Sequence, residues 1–168
     1  MKSLLIIAFA VYTANVFAQV VIKDKRASGH SIHIWGSDFE GVTFKKNFEP
    51  FKSDSLGRRS FTPGREDIES AEALIRRNID TAQCAIYGTG NELAKHLTCY
   101  TRQYFGYTNK RGEKVIWVNC FYKYGHIYPH KKEWLKKKVF VYDGGMAFWN
   151  ATINLHTRAV YDLWINGI

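Results

Sequence analysis

The sequence predicts an α+β fold in which a curved antiparallel sheet of four to six strands wraps one main helix. Three observations lead there. One stretch with helical spacing lies near the middle of the chain, alternating stretches dominate after Cys99, and glycine-bearing turns separate those stretches. The second half holds no helical segment long enough to serve parallel crossovers, which argues against a doubly wound sheet.

The chain begins with Met1-Lys2, an apolar block from Leu4 to Val11, and Val16-Phe17-Ala18 before Gln19. A basic start, a hydrophobic centre and a small residue at the end predict a signal peptide over residues 1–18, cleaved after Ala18, and a secreted or periplasmic mature chain. The apolar block is short of the roughly 20 residues a membrane span needs. Residues 19–60 carry alternating Ser31–Trp35 and Gly41–Phe44, read as short strands, and then a polar connector over 50–61. Residues 61–168 supply the helix and the meander, and they form one domain with 19–60.

The helix is expected over 63–80. Thr62 can cap it, Pro63 suits its first position, Glu66 and Asp67 sit in the first turn, and Arg76 and Arg77 fall late. Ile68, Ala71, Ile75 and Ile79 recur at three- and four-residue spacing, giving a stripe that must find an apolar surface. After Cys99, Tyr100–Tyr107 and Glu113–Tyr122 flank Asn109-Lys110-Arg111-Gly112, the pattern of a type I turn closed by a left-handed glycine. That turn sets Thr108 opposite Lys114, Phe105 opposite Trp117, Gln103 opposite Asn119 and Arg102 opposite Cys120. A second hairpin is expected from Lys138–Tyr142 through Asp143-Gly144-Gly145 into Met146–Leu155, and a last strand over Ala159–Ile165. On its returning strand Ala147, Trp149, Ala151, Ile153 and Leu155 share one face, with Phe148, Asn150, Thr152 and Asn154 on the other.

The helix-then-meander order resembles the cystatin-like and NTF2-like α+β rolls. Phe61-Thr62-Pro63, Gln103-Tyr104-Phe105-Gly106-Tyr107 with Asn109-Lys110, Asp143-Gly144-Gly145 and Asn166-Gly167 also resemble a group of uncharacterised secreted bacterial proteins. That likeness implies secretion and fold and brings no activity. Gln103-Tyr104-Phe105-Gly106 departs from the Gln-x-Val-x-Gly of protease-inhibiting cystatins, which leaves papain-type inhibition unsupported.

The 168 residues carry a formal net charge of +9, or +8 once Lys2 leaves with the leader, a balance that favours anionic partners. Export makes nucleic acid a poor candidate. Lys131, Lys132, Lys136, Lys137 and Lys138 form the densest basic cluster and a candidate anion-binding patch, weighed against a solvated face guarding a strand edge. Cys84, Cys99 and Cys120 allow at most one disulfide; Cys84 with Cys99 is the preferred pair, because the hairpin register sets Cys120 opposite Arg102.

No catalytic set emerges, and neither a metal nor another cofactor is expected. Cys120 in a central strand reads as a buried, inert thiol. His30 with His33 and His126 with His130 lack completing ligands and read as loop histidines. There is no phosphate-binding glycine loop and no nucleophile elbow. Asp143 reads as a turn residue. Asp162 interrupts an apolar strand, where it would share a face with Val160 and Asn166, and could act with a histidine in a roll cavity. Trp149 and Trp164, bordered by Asn150, Asn154 and Asp162, could instead offer flat faces and polar groups to a sugar or peptide. The leading expectation is therefore a secreted, non-enzymatic module that binds a protein, peptide or glycan. The alternatives are the Asp162 enzyme and a basic protein held at the anionic envelope surface.

Overall fold

The computed structural model describes residues 23–48, 59–84, 88–124 and 130–166. The expected leader over residues 1–18 and most of the connector lie outside them. The strands are β1 (Lys23–Arg26), β2 (Ser31–Trp35), β3 (Glu40–Phe44), β4 (Arg59–Phe61), β5 (Gln83–Cys84), β6 (Gly88–Thr89), β7 (Tyr100–Thr108), β8 (Lys114–Tyr122), β9 (Phe148–Asn154) and β10 (Ala159–Ile165). The main helix α1 spans Arg65–Asn78, and a short α2 spans Asn91–Lys95. The class is α+β, with a strand-rich sheet and one principal helix.

The sheet is larger and less uniform than the sequence suggests. Among the described residues ten strands join it in the order β1-β2-β3-β7-β8-β9-β10-β5-β6, with β4 paired to β7. Most pairs are antiparallel, but β3 runs parallel to β7, and Leu163 of β10 pairs in parallel with Cys84 of β5. The connection from β3 to β7 carries α1 and α2, which gives it the length a parallel crossover needs. The N-terminal strands thereby join the meander in one sheet, with β3 and β4 sharing the edge of β7.

Helix α1 starts later than its sequence signals imply. Gly64 is its N-cap, and the Gly64 N–H donates to the Asp67 carboxylate at 3.0 Å. Thr62 instead accepts the Lys46 N–H, and the Pro63 carbonyl accepts the Thr43 hydroxyl. Both residues tie the helix entry to the β3 region, a role that local capping rules do not reveal. Ile68, Ala71, Ile75 and Ile79 are buried against the sheet as the spacing predicts, each isoleucine contributing about 1.5–3 kcal/mol by leaving water. The stripe is joined by Glu72, a carboxylate with no exposed surface.

The β7–β8 hairpin has the expected register from Thr108 opposite Lys114 to Arg102 opposite Cys120. Gly112 has φ 77°, donates to the Asn109 carbonyl and closes the turn. The Asn109 side chain accepts the N–H groups of Arg111 and Glu113, so one residue satisfies the tip.

The second expected hairpin is absent. Strand β9 pairs with β8 and β10, while residues 139–144 form no strand. The described part of the β8–β9 connection contains 3-10 turns over His130–Leu135 and Gly145–Ala147 and folds back across the face of the sheet opposite α1. Its main chain finds side-chain partners there in place of a ladder. Gln103 donates to the carbonyls of Trp134 at 2.8 Å and Lys137 at 2.7 Å, and its oxygen accepts the Val139 N–H at 2.8 Å. Asn119 donates to the Val139 carbonyl at 2.8 Å, Asn166 to the Val141 carbonyl, and the Ser31 hydroxyl to the Leu135 carbonyl. We call this segment, residues 130–144, the strap. Trp134 anchors it, buried against Phe121 and His33.

Candidate functional site

The outer face of the sheet carries a row of side chains in register across six strands: His33, Val42, Gln103, Asn119, Asn150 and Trp164. The strap covers the row as far as Asn119. Beyond it, a groove of about 240 Å³ opens between β8, β9, β10 and the strap. Trp117 and Asn119 come from β8, Phe148 and Asn150 from β9, and Trp164 and Asn166 from the β10 end. Lys138, Phe140 and Tyr142 form the strap side.

The walls are aromatic and open to solvent. Trp164 is 50% exposed, Phe140 66% and Tyr142 91%. The Phe140 and Tyr142 rings meet edge to face with centroids 4.9 Å apart. The Lys138 ammonium sits 4.4 Å from the Trp117 ring centroid and 5.8 Å from that of Phe140, so the ring faces hold the cation. Burial lowers the Lys138 pKa below its ordinary value. Among the described lining residues Lys138 carries the one formal charge. Asn150 is half-buried and points onto this face, yet its carboxamide has no hydrogen-bond partner among the described residues. Such a site offers stacking surfaces, a donor and acceptor pair, and a partly desolvated cation.

The candidate ligand residues separate. Asn150 and Trp164 meet in the groove, across the β9–β10 pair. Trp149 does not join them: it is fully buried on the opposite face, edge to face with Tyr100, as strand alternation requires. Asn154 is buried too. It donates to Glu113 at 2.8 Å and accepts the N–H groups of His156 and Thr157, so it organises the β9–β10 turn.

Asp162 is exposed, with φ 50°, at a register shift between Tyr161 and Trp164. Uninterrupted alternation would put Asp162 inward with Val160. The irregularity moves the acid outward and lets Leu163 and Ile165 fill the core. An open recess beside Asp162 is lined by Asn78, Thr81, Arg158 and Tyr161 and includes no histidine among the described residues.

The basic cluster also divides. Lys132, Lys136 and Lys137 are exposed on the strap, while Lys138 turns into the groove; the Lys131 side chain lies outside the described residues. Because 139–144 is not a strand, these lysines do not guard a strand edge. His33 is no loop histidine: it lies in β2 with its Nε2 2.8 Å from Glu40 and its ring tilted at 43° against Trp35, centroids 3.8 Å apart. His30 is exposed beside it, and His126 and the His130 side chain lie outside the described residues. Cys99 and Cys120 are free thiols, so the structure carries no Cys84–Cys99 bridge; the Cys84 side chain lies outside the described residues. Burial pushes the Cys120 thiol well above its usual range, which keeps it unreactive.

Sequence reasoning missed Trp117, Phe140, Tyr142 and Asn166 as groove residues. The outward parity of Trp117 and Asn119 on the strand opposite Asn150 was the available signal. The turn of the strap over them left none. Comparison with family models, curated proteins and solved structures finds no match to this chain.

Proposed function

We propose that this chain is a secreted, non-enzymatic binding module that holds a glycan in the outer-face groove, on a sheet that curves round α1 as a cystatin-like or NTF2-like roll. The leader pattern at residues 1–18 supports export. The observation that carries the ligand assignment is the pairing of solvent-open rings at Trp164, Phe140 and Tyr142 with the Asn150 carboxamide, which has no hydrogen-bond partner among the described residues. Sugar rings present an apolar face for stacking and hydroxyls for a carboxamide, which matches that combination.

A peptide is less well served. Strand addition needs free main-chain groups, and on the strap the Val139 N–H and carbonyl and the Val141 carbonyl are already engaged by Gln103, Asn119 and Asn166. An array of immobilised glycans probed with the protein and with Trp164→Ala tests the reading. Binding that falls at least tenfold in the variant supports it, and equal binding by both proteins rejects it.

A second reading, attachment to an anionic envelope surface, draws on the exposed Lys132, Lys136 and Lys137. It requires retention on acidic lipid vesicles that weakens steeply with salt. The enzyme alternative loses its motivation, because Asp162 stands at an open surface away from the core.

A further inference from the structure

We infer that the groove selects N-acetylated sugars, stacking a hexosamine ring on Trp164 and holding its acetamido group between Asn150 and Asn119. This inference rests on the glycan reading above and names the class of sugar. Asn119, Asn150 and Trp164 are successive members of one cross-strand row on the outer face, and neighbours in such a row stand about 5 Å apart. A ring on Trp164 therefore carries a substituent over Asn150 and on toward Asn119. The Lys138 ammonium, already over the Trp117 and Phe140 rings, plays no part in the selection.

The polar groups of the row are matched to an amide. Asn119 spends both amide hydrogens, one on the Gln103 side-chain oxygen at 3.0 Å and one on the Val139 carbonyl at 2.8 Å, so its Oδ1 is left to accept and nothing is left to donate. The Asn150 carboxamide, without a hydrogen-bond partner among the described residues, keeps both its donor and its acceptor. A trans secondary amide points its N–H and its carbonyl in opposite directions, so it needs an acceptor on one side and a donor on the other. Asn119 Oδ1 and Asn150 Nδ2 supply them in that order. In the same amide the methyl group lies on the N–H side, hence toward Asn119, where Val139 and Phe140 of the strap offer apolar lining. A hydroxyl in its place makes at most the same two bonds and brings no methyl. Pairs of hydroxyls would be matched better by the two accepting oxygens of a carboxylate, and none of the described lining residues is Asp or Glu.

The test is titration calorimetry of the protein as its host produces it, using a β-linked N-acetylglucosamine trisaccharide and the glucose trisaccharide of the same linkage. Asn150→Ala and Trp164→Ala are measured alongside, with circular dichroism to verify folding. The N-acetylated sugar is expected to bind at least about tenfold more tightly, the combined scale of one hydrogen bond and one buried methyl group. Asn150→Ala should bring the two sugars to equal affinity, and Trp164→Ala should weaken both alike. Equal affinity in the wild type, a preference for glucose, or a preference that survives Asn150→Ala overturns the selection and leaves the glycan reading standing. If neither sugar binds, the selection is overturned and the glycan array decides the wider reading by itself. Binding of both sugars that is unchanged in Trp164→Ala overturns the inference and the glycan reading together. If Asn150→Ala fails to fold, saturation-transfer NMR on the wild-type protein decides: the acetyl methyl should receive the strongest saturation, and a methyl left unsaturated while the ring protons respond overturns the inference.

Discussion

On the inner face of the sheet α1 lies over a closed core, whereas on the outer face an irregular strap lies over a partly open one. Both coverings are fixed by polar groups set among apolar side chains, but the polar groups differ in kind. Inside, Glu72 of α1 forms an ion pair with Arg102 at 2.9 Å and accepts the Tyr104 hydroxyl at 2.7 Å, with all three side chains fully buried. Arg102 also donates to the carbonyls of Tyr100 and Leu97, and Arg76 bridges Glu72 to Asp38 at the rim. Gly41 leaves room for this arrangement, since a Cβ there would come 2.9 Å from the Tyr104 ring. Outside, neutral carboxamides do the holding, Gln103 and Asn119 clasping the strap by its main chain. The difference teaches where a ligand can act. A buried ion pair locks its elements because either partner alone is costly, whereas an amide clasp fixes one end of a covering and leaves the rest open to solvent.

Breaking the inner lock should have the largest effect. Arg102→Leu leaves the buried Glu72 carboxylate with only the Tyr104 hydroxyl and the longer Arg76 contact at 3.4 Å, with an expected loss of about 3–5 kcal/mol in denaturant unfolding. Adding Glu72→Leu to that variant should recover part of the loss, and failure to recover would mean that packing, not charge, sets the cost. The outer clasp comes next. Gln103→Leu removes partners from Trp134, Lys137 and Val139 and should cost about 1–3 kcal/mol, with faster amide exchange at Val139 and none of that acceleration along α1. Equal acceleration on both faces would show that they form one cooperative unit.

At the open end, Trp164→Ala should change stability by less than about 1 kcal/mol, because half of that side chain already faces water, while ligand binding is lost. The smallest effect is a pH dependence at the strap anchor. Burial lowers His33 below its ordinary value of 6.5, against opposing hydrogen-bonding and charge effects of Glu40, with Lys132 on the strap adding to the lowering. The unfolded chain therefore takes up the proton first as the solution is acidified. The contribution of His33 is complete above about pH 6.5 and is lost as pH falls through the lower folded value. His33→Gln should flatten that part of the stability profile; an unchanged slope would assign it to the carboxylates.

Much of the inner face was legible in the chain. Ile68, Ala71, Ile75 and Ile79 keep helical spacing, Trp149, Ala151 and Ile153 keep strand alternation, and the tip at Asn109–Gly112 fixes its register through local turn chemistry. The ligand groove was legible only in fragments. Asn150 and Trp164 are identifiable in the sequence, but so, with equal weight, are Trp149, Asn154 and Asp162, because residue type alone does not say which face or which turn a side chain serves.

What the sequence determined by itself was local: where α1 runs, which residues of β9 point together, and how β7 turns into β8. Those features depend on backbone periodicity and turn geometry within a few residues. Tertiary structure decided the rest: the parallel joining of β3 to β7, the outward displacement of Asp162, and the folding of 130–144 across the sheet. Each depends on contacts between residues far apart in the chain. Gln103 accepting the Val139 N–H, for example, satisfies a donor that local pattern would have placed in a strand ladder.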